Sequence, residues 1–423
     1  MPDWMTDEAA SRADADGDTT IRTAALRTGM RLSECLHDDT GLLLLAAGAE
    51  ITPRFLRLLG QRNITHVTLR TDPSRFIHES GPTAHADRLD TDLDRALEHP
   101  PSLQPNHSTD TRRLSIRDLH AEARRGLQQH GKASHLVSEV CRHLGAGQRI
   151  DISMLSNTIG DFIDMVSLDA DVLPLIVSLQ QSGDEYLYDH CVNVAMLSMT
   201  MATGFGMPQE GLMELGLGAL LQDIGMLRVP NEIRLAPRSL TDDEWFEVRR
   251  HPYYTIESLE RIRGLPEMSK YIGYQVHERT DGSGYPRRRS RMLIHRYARI
   301  VAVADAYLAM TSPRPYREAM LPYHAAKSIL VESSARKFDG DVVRGFLDNL
   351  SILPIGSVVE LNNGARATVV RATPGRHTCP IVELLDGAGE ATGRIIDLTR
   401  TSDRRIVRAV PPGPEPVLTF GHH

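Results

Sequence analysis

Two aspartates occupy positions where an apolar helix is not expected to carry a charge. Asp305 interrupts the nearly continuous apolar segment ARIVAVADAYLAM, between Val301 and Leu308. Asp223 follows the apolar stripe of ELGLGALLQDIGM, in the last helical turn before Gly225, where the negative end of the helix dipole opposes a carboxylate. Because an unpaired buried carboxylate is costly, we expect a cation beside each aspartate, either a metal ion or the partner of a salt bridge.

Three histidines could complete a ligand set around these acids. His190 lies on one helical face with Val194 and Leu197, so its side chain is expected to point into the core. A single histidine on such a face is more often a hydrogen-bonded core residue than a ligand. His251 and His277 each lie next to loop-like sequence. Three histidines and two aspartates within one helical domain together indicate a binuclear metal site.

The segment HERTDGSGYP, which begins at His277, carries the most specific pattern in the chain. Its DGSG portion alone would indicate only a turn. The whole segment resembles the HHExxDGxGYP motif of the HD-GYP family, with Val276 in place of the first histidine. This family consists of metal-dependent cyclic di-GMP phosphodiesterases, and the resemblance implies a mainly α-helical bundle of the HD type.

Other segments in the same chain order strengthen the resemblance, which extends over about residues 180–350. The QDIGM segment takes the place of the family's HDIGK, and TSPRPYR matches its TSxRPYR. The matching positions are His190, QDIGM at 222–226, His251 with Pro252, VAD ending at Asp305, and TSPRPYR at 311–317.

The resemblance implies two or three bound metal ions, usually iron or manganese, which activate a water for attack on the phosphodiester. Asp223 would bridge the metals. The retained metal ligands would be His190, Asp223, His251, His277 and Asp305. Guanidinium groups suit phosphate binding, and the substrate-binding positions implied by the family are Gly282, Gly284, Tyr285, Arg314 and Arg317.

Three family positions are substituted. Gln222 replaces the histidine of the HD pair, Val276 replaces the first histidine of HH, and Met226 replaces a lysine that would contact phosphate. Tyr186 occupies the position where some members carry a glutamate for a third metal. Two interpretations follow: a weak or inactive phosphodiesterase that acts by binding cyclic di-GMP or a signalling protein, and an active phosphodiesterase with a depleted site. We favour the first, because every loss removes a metal or phosphate contact.

The length, charge and cysteine content of the chain restrict the classes of protein to which it can belong. The chain has 423 residues, which predicts two or three domains. A net charge of −7 argues against a broad surface for long nucleic acids. The sequence shows no CxxC pair, no signal peptide and no apolar run long enough for a membrane span. We therefore expect a cytoplasmic protein with no membrane partner. A homodimer is compatible with the sequence. The scattered cysteines are Cys35, Cys141, Cys191 and Cys379.

The predicted fold is a mainly α-helical HD-type bundle, flanked by a small N-terminal α+β domain and a small C-terminal antiparallel β domain. Within these domains the patterns predict a helix over PRFLRLLGQ, a strand over Thr65–Leu69, a capping box at Thr241, and hairpins at NNG and near DG. The N-terminal domain resembles an uncharacterised module found ahead of HD-GYP domains. The predicted segments are a disordered tail (1–20), the α+β domain (21–72), a linker with a weak helix near 91–97 (73–114), the HD-GYP-like domain (115–353), the β domain (354–411) and a tail (412–423).

Overall fold

The structure is a computed structural model that describes residues 10–13, 19–30, 35–37, 43–45, 51, 53–61, 64–70, 113–179, 186–312, 319–373 and 375–411. The chain divides into two compact units, Met1–Thr91 and Asp92–His423. The predicted mainly helical fold with small antiparallel sheets is confirmed. Every helix within the described ranges is too short or too polar to cross a lipid bilayer.

The first unit pairs a five-stranded antiparallel sheet with one helix among its described residues. Alternating apolar residues place Ile21, Leu36 and Val67 in its core, where each is fully buried. The strands lie in the order β1-β2-β5-β3-β4, where the elements are β1 Ala10–Ala13, β2 Thr19–Arg22, β3 Cys35–His37, β4 Leu43–Leu45, α1 Pro53–Gln61 and β5 His66–Arg70. The helix and strand predicted from the sequence in this region are therefore confirmed.

The predicted disordered tail over residues 1–20 is wrong in part. Residues 10–13 form β1, which pairs antiparallel with β2 from Thr19 onward. The segment has few apolar residues, but pairing satisfies its backbone N–H and C=O groups whatever the side chains are. The weak helix predicted near 91–97 lies outside the described residues.

The second unit is a helical bundle followed by a β-sheet. Its long first helix begins at an N-cap, Ser115, whose hydroxyl accepts a hydrogen bond from the Asp118 amide at 3.2 Å. The predicted capping box at Thr241 is present in the structure. The elements are α2 Ile116–Gly145, β6 Ile150–Asp151, α3 Ser153–Leu168, α4 Val172–Leu179, α5 Tyr186–Gly204, α6 Gln209–Leu221, α7 Asn231–Arg234, α8 Asp242–Val248, α9 His251–Leu259, β7 Ile262–Arg263, α10 Glu267–Gln275, α11 Arg296–Thr311, α12 Pro322–Ser334 and α13 Gly340–Leu350.

Helix α5 is the centre of the bundle. Every residue from His190 to Ala202 is buried, as expected for a helix that is apolar on all sides. Helices α2, α6 and α11 pack around it. Any polar side chain that α5 carries is therefore held rigidly by neighbours on several sides, which suits a positioned ligand.

A five-stranded antiparallel sheet follows the bundle. The hairpins predicted at NNG and near DG are confirmed, since they connect the first two pairs of strands. The strands pack over a core that includes Val359, Val369 and Val382, each fully buried. They lie in the order β11-β10-β9-β8-β12, with β8 Val358–Leu361, β9 Arg366–Arg371, β10 Ile381–Leu385, β11 Ala391–Asp397 and β12 Ile406–Ala409.

A buried ion network attaches this sheet to the bundle. Arg371, the last residue of β9, is only 3% exposed. Its guanidinium lies 3.0 Å from the Asp169 carboxylate and 3.3 Å from the Asp171 carboxylate, and it also donates to the Leu114 carbonyl. Burial raises the pKa of Asp171 to about 7, against the opposing effect of the arginine. One cation thus compensates two buried acids between α3 and α4.

Candidate metal centre

The five predicted ligand residues converge in one buried site, although they come from five different parts of the bundle. Their potential ligand atoms form two groups, and within each group all the atoms lie within 4.8 Å of one another. Asp223 belongs to both groups. The first group contains His190, Asp223 and Asp305, and the second contains Asp223, His251 and His277.

Specific atom pairs define the geometry. His190 Nε2 lies 3.0 Å from Asp305 Oδ1. Asp223 Oδ1 is approached by His251 Nε2 at 3.2 Å and by His277 Nε2 at 3.3 Å. The second nitrogen of His277, Nδ1, lies 3.7 Å from Asp305 Oδ2. His277 therefore lies between the two carboxylates, and Asp223 lies between two imidazoles.

The histidines of the site have fewer N–H protons than there are carboxylate and carbonyl oxygens that face their ring nitrogens. The Nδ1 atom of His251 lies 2.7 Å from the Val248 carbonyl oxygen, which can only accept, so Nδ1 carries the proton. In a neutral imidazole, Nε2 is then unprotonated, and its lone pair faces the Asp223 carboxylate. Because both atoms are hydrogen-bond acceptors, a proton or a cation must lie between them at this distance. His277 likewise has one N–H in its neutral form but faces carboxylates from both nitrogens.

The electrostatics favour ionised acids and a neutral imidazole. Burial alone would raise the pKa of Asp223, but the adjacent His251 and His277 outweigh burial and hold that pKa well below its usual range. The pKa of Asp305 is also lowered, because His190 and His277 outweigh the effect of burial. Burial lowers the pKa of His277. Deprotonated carboxylates and neutral histidines are the forms that bind metal ions.

Several buried polar atoms at the site have no hydrogen-bond partner within the described part of the chain. They are Gln222 Oε1, His190 Nδ1 and His251 Nε2. Such groups are rare in folded proteins, and a bound ion is one of the recognised explanations. The mixed nitrogen and oxygen donor set suits a divalent transition metal. The residues therefore fit the metal that the sequence predicts.

The turn that follows α6 is bonded to α9, and this contact holds Asp223 against His251. The Gly225 amide donates to the Thr255 hydroxyl at 3.1 Å, and this hydroxyl donates to the Gln222 carbonyl at 3.0 Å. A Cβ atom built on Gly225 would overlap the His251 carbonyl oxygen and the Thr255 amide nitrogen. Only glycine allows this close approach of the two backbones.

Replacing Gly225 by alanine is expected to destabilise the protein by about 1–3 kcal/mol, because the added methyl group has no space. The variant should also bind less metal, since the loop must move away from His251. Denaturant unfolding and metal analysis measure the two effects. Gly160→Ala in α3 is the matched control: a Cβ atom there meets nothing within 4 Å, so its stability should be unchanged or higher. Equal stability of the two variants would contradict this account.

The substituted positions lie within the site itself. Val276 is fully buried and contributes only hydrocarbon. Gln222 is also fully buried, and its amide nitrogen donates to Asp305 Oδ1 at 3.3 Å. Met226 is partly buried, in the 3-10 turn after Asp223. Tyr186, at the position of a glutamate in some family members, stacks on His190 with ring centroids 5.7 Å apart.

The predicted substrate-binding residues divide into two sets. Tyr285 stacks on His277 at 4.9 Å between ring centroids, and its amide donates to the His277 carbonyl. Gly282 adopts a positive φ of 80°, and Gly284 packs too tightly against the His277 backbone to carry a Cβ atom. This loop therefore borders the centre. Arg314 and Arg317 lie outside the described residues.

Some residues that position the site were not found from the sequence. Thr255 was missed because its hydroxyl acts on a loop some thirty positions earlier in the chain. Gln275 is fully buried at the end of α10, where its amide bonds to the Leu293 carbonyl and the His295 amide. A polar residue in an apolar helix was the available signal for Gln275. No signal was available for Thr255, since threonine is common on helices.

Comparison with known proteins gives a family match and several relatives. Residues 165–342 match the family model for an HD domain. A cyclic di-GMP phosphodiesterase of Pseudomonas aeruginosa is 35% identical over 60% of this chain and 60% of its own length. A 3′3′-cGAMP-specific phosphodiesterase of Vibrio cholerae is 32% identical over 40% of this chain and 39% of its own. A cyclic di-GMP phosphodiesterase response regulator of Xanthomonas campestris is 36% identical over 40% and 44%.

The chain thus spans between about two fifths and three fifths of the length of these relatives. Among solved structures, an HD-GYP-like protein of Bdellovibrio bacteriovorus aligns with 78% of this chain and 98% of its own, with a TM-score of 0.44 and 17% identity. The HD-type bundle predicted from the sequence is confirmed by the domain match together with the observed helical architecture.

Proposed function

Because this chain is a member of the HD-GYP family, we propose that it binds cyclic di-GMP at the buried histidine–aspartate centre and hydrolyses it weakly or not at all. The proposal rests on which metal-ligand residues the site retains and which it has lost. Five ligand residues converge, while two ligand positions of the family hold Gln222 and Val276. The relatives that are named cyclic di-GMP phosphodiesterases support this choice of ligand.

The metal would be held by the two residue groups that share Asp223. When bound, it supplies water activation and polarisation of the phosphodiester. The protein's own contribution is rigid placement: α5 holds His190 among buried neighbours, and the Val248 carbonyl orients the His251 ring. Tyr285, stacked on His277, restricts the orientation of that imidazole ring.

The expected weakness follows from the two substitutions. Val276 offers no ligand atom to the second group. Gln222 offers at most an amide oxygen, a hard and weak donor that suits magnesium or manganese better than iron. Disturbing only an outer partner of a metal ligand costs about 10–100-fold in affinity or activity. Losing an inner ligand at each of two positions is expected to cost at least as much at each.

An active phosphodiesterase is the second candidate. It is favoured by the completeness of the two three-residue groups around a shared carboxylate, since three protein ligands are sufficient in many catalytic metal sites. Metal analysis of the purified protein, combined with product analysis after incubation with cyclic di-GMP, separates the candidates. Stoichiometric iron or manganese with formation of linear dinucleotide or GMP would establish the active enzyme and reject the weak one.

Restoring the family histidines tests the explanation of the weakness. The double variant Gln222→His, Val276→His is expected to bind metal at least about 10-fold more tightly than the wild type, because each group regains an imidazole. Elemental analysis after equilibration with limiting manganese or iron measures the change. Leucine at both positions is the control, as it fills similar space without a ligand atom. Metal content that stays at the level of this control would refute the ligand assignment.

Binding of the dinucleotide is tested by calorimetric titration. Wild-type protein is expected to bind cyclic di-GMP, and an Arg314→Ala, Arg317→Ala double variant is expected to bind it about 10-fold or more weakly, because each guanidinium would contribute charge-assisted hydrogen bonds to phosphate. Arg394→Ala, at an exposed position on β11, is the matched control. Unchanged affinity in the double variant would reject the phosphate role of these arginines.

A further inference from the structure

A cleft of about 230 Å³ adjoins His190 on the side of α5. Its walls come from α4, α5, α11, the first residue of α12 and the segment that leads from α13 towards the C-terminal sheet, as far as Gly356. Pockets for drug-sized ligands usually measure about 300–1,000 Å³. This cleft is therefore large enough for one ring system but too small for a whole dinucleotide.

The polar face of the cleft comes from α5. Asp189 and Asn193 both line it, and they lie four residues apart, on one face of the helix. A side chain of α2 forms a hydrogen bond with each of them. The Ser134 hydroxyl donates to Asp189 Oδ1 at 2.6 Å, and His130 Nε2 donates to Asn193 Oδ1 at 2.8 Å.

These bonds determine what remains for a ligand. Within the described part of the chain, Asp189 Oδ2 and the Asn193 amide nitrogen have no hydrogen-bond partner. The cleft thus offers an acceptor that carries negative charge beside a neutral donor. The described lining includes no lysine or arginine. The Asp189 carboxylate would repel a phosphate placed against it, so this face of the cleft suits an uncharged ring that has adjacent N–H donors and a carbonyl acceptor.

Guanine has this pattern on its Watson–Crick edge, where N1–H and the N2 amino group donate and O6 accepts. Adenine presents an unprotonated N1 at the corresponding place, which a carboxylate repels. The cleft also offers aromatic rings, since Tyr186 and Tyr307 line it. Tyr186 is stacked on His190 with only 16° between the ring planes.

We propose that this cleft binds a guanine base, and that Asp189 selects guanine over adenine in the nucleotide that the metal centre receives. The inference rests on the proposed binding of cyclic di-GMP and specifies which base the protein recognises. Asp189 accepts from N1–H and N2–H, and Asn193 donates to O6. Because His190 belongs to both the cleft and the metal centre, a base in the cleft would place its attached sugar and phosphate beside the metal ligands.

The test compares Asp189→Asn with the wild type by calorimetric titration of cyclic di-GMP, 3′3′-cGAMP and cyclic di-AMP. A single guanine cleft predicts that wild type binds the two guanine-containing dinucleotides similarly and cyclic di-AMP more weakly. Asp189→Asn is expected to lose about 10- to 100-fold in affinity for cyclic di-GMP, the range for a hydrogen bond to a charged group. Its affinity for cyclic di-AMP should not fall. Asparagine still accepts from Ser134, so the contact with α2 is kept.

Ser134→Ala is the control for a structural role, since it removes the contact behind Asp189 and leaves the carboxylate. It should keep the guanine preference. An equal loss for all three dinucleotides in Asp189→Asn, or the same loss in Ser134→Ala, would overturn the inference. Titration with guanosine and with adenosine, each without the rest of the dinucleotide, tests the guanine cleft independently of the proposed binding of cyclic di-GMP. If wild type binds no cyclic dinucleotide but prefers guanosine through Asp189, the proposed function fails and the guanine cleft stands; no preference for guanosine would overturn the cleft as well.

Discussion

Replacing Asp223 by alanine is expected to lower metal affinity by more than about 100-fold. Asp223 is the only residue common to both ligand groups, so its loss reduces each of them to two described ligands. Changes to residues that merely support a ligand already cost about 10–100-fold, and removing a shared inner ligand should cost more. The variant would also leave His251 and His277 without the acid that lies between them.

Metal titration with a chromophoric competitor, followed by elemental analysis, measures this loss. Asp161→Ala on the exposed face of α3 is the matched control, as it removes the same charge from a residue that belongs to neither ligand group. Asp223→Asn serves as a second variant of nearly native shape, in case alanine disturbs folding. Metal affinity in Asp223→Asn equal to that of Asp161→Ala would show that Asp223 is not a ligand.

Replacing Arg371 by leucine is expected to destabilise the second unit by about 3–5 kcal/mol, the range for removing one partner from a buried ion pair. The change removes the guanidinium that lies within 3.3 Å of both buried carboxylates, Asp169 and Asp171. Equilibrium denaturation, read by circular dichroism, measures the difference. Arg394→Leu on the exposed face of the same sheet is the control and should lie within about 0.5 kcal/mol of the wild type. A comparable effect of both substitutions would contradict the buried network.

The same network predicts a pH dependence. The pKa of Asp171 is about 7 in the folded protein, compared with 3.8 for an aspartate side chain exposed to solvent. The folded state therefore holds this proton more tightly, so the stability that it contributes is complete below about pH 4 and is lost as pH rises through 7. Relative to Asp171→Asn, the wild type should lose stability over this window, with a slope approaching about 1.4 kcal/mol per pH unit. A constant difference between the two proteins across the window would show that Asp171 does not titrate there.

The sequence by itself determined the identity of the candidate ligands. A charge inside an apolar helical segment marked Asp305 and Asp223, and the HERTDGSGYP segment marked His277. It also determined local structure such as helix α1, the capping box at Thr241 and the C-terminal hairpins. These features depend on residues close together in the chain, where periodicity, capping and turn chemistry act directly.

Only the tertiary structure decided what surrounds these residues. His190 and Asp305 meet across more than a hundred positions, and Arg371 reaches Asp169 from the far end of the second unit. The sequence predicted a cation beside Asp305 but not which side chains surround that carboxylate, and it offered no sign that β9 supplies the cation for two acids. The physical reason is that hydrophobic patterning shows which face of an element is buried but not which element covers it. Pairing of buried charges is settled by packing, because only packing decides which side chains come within bonding distance.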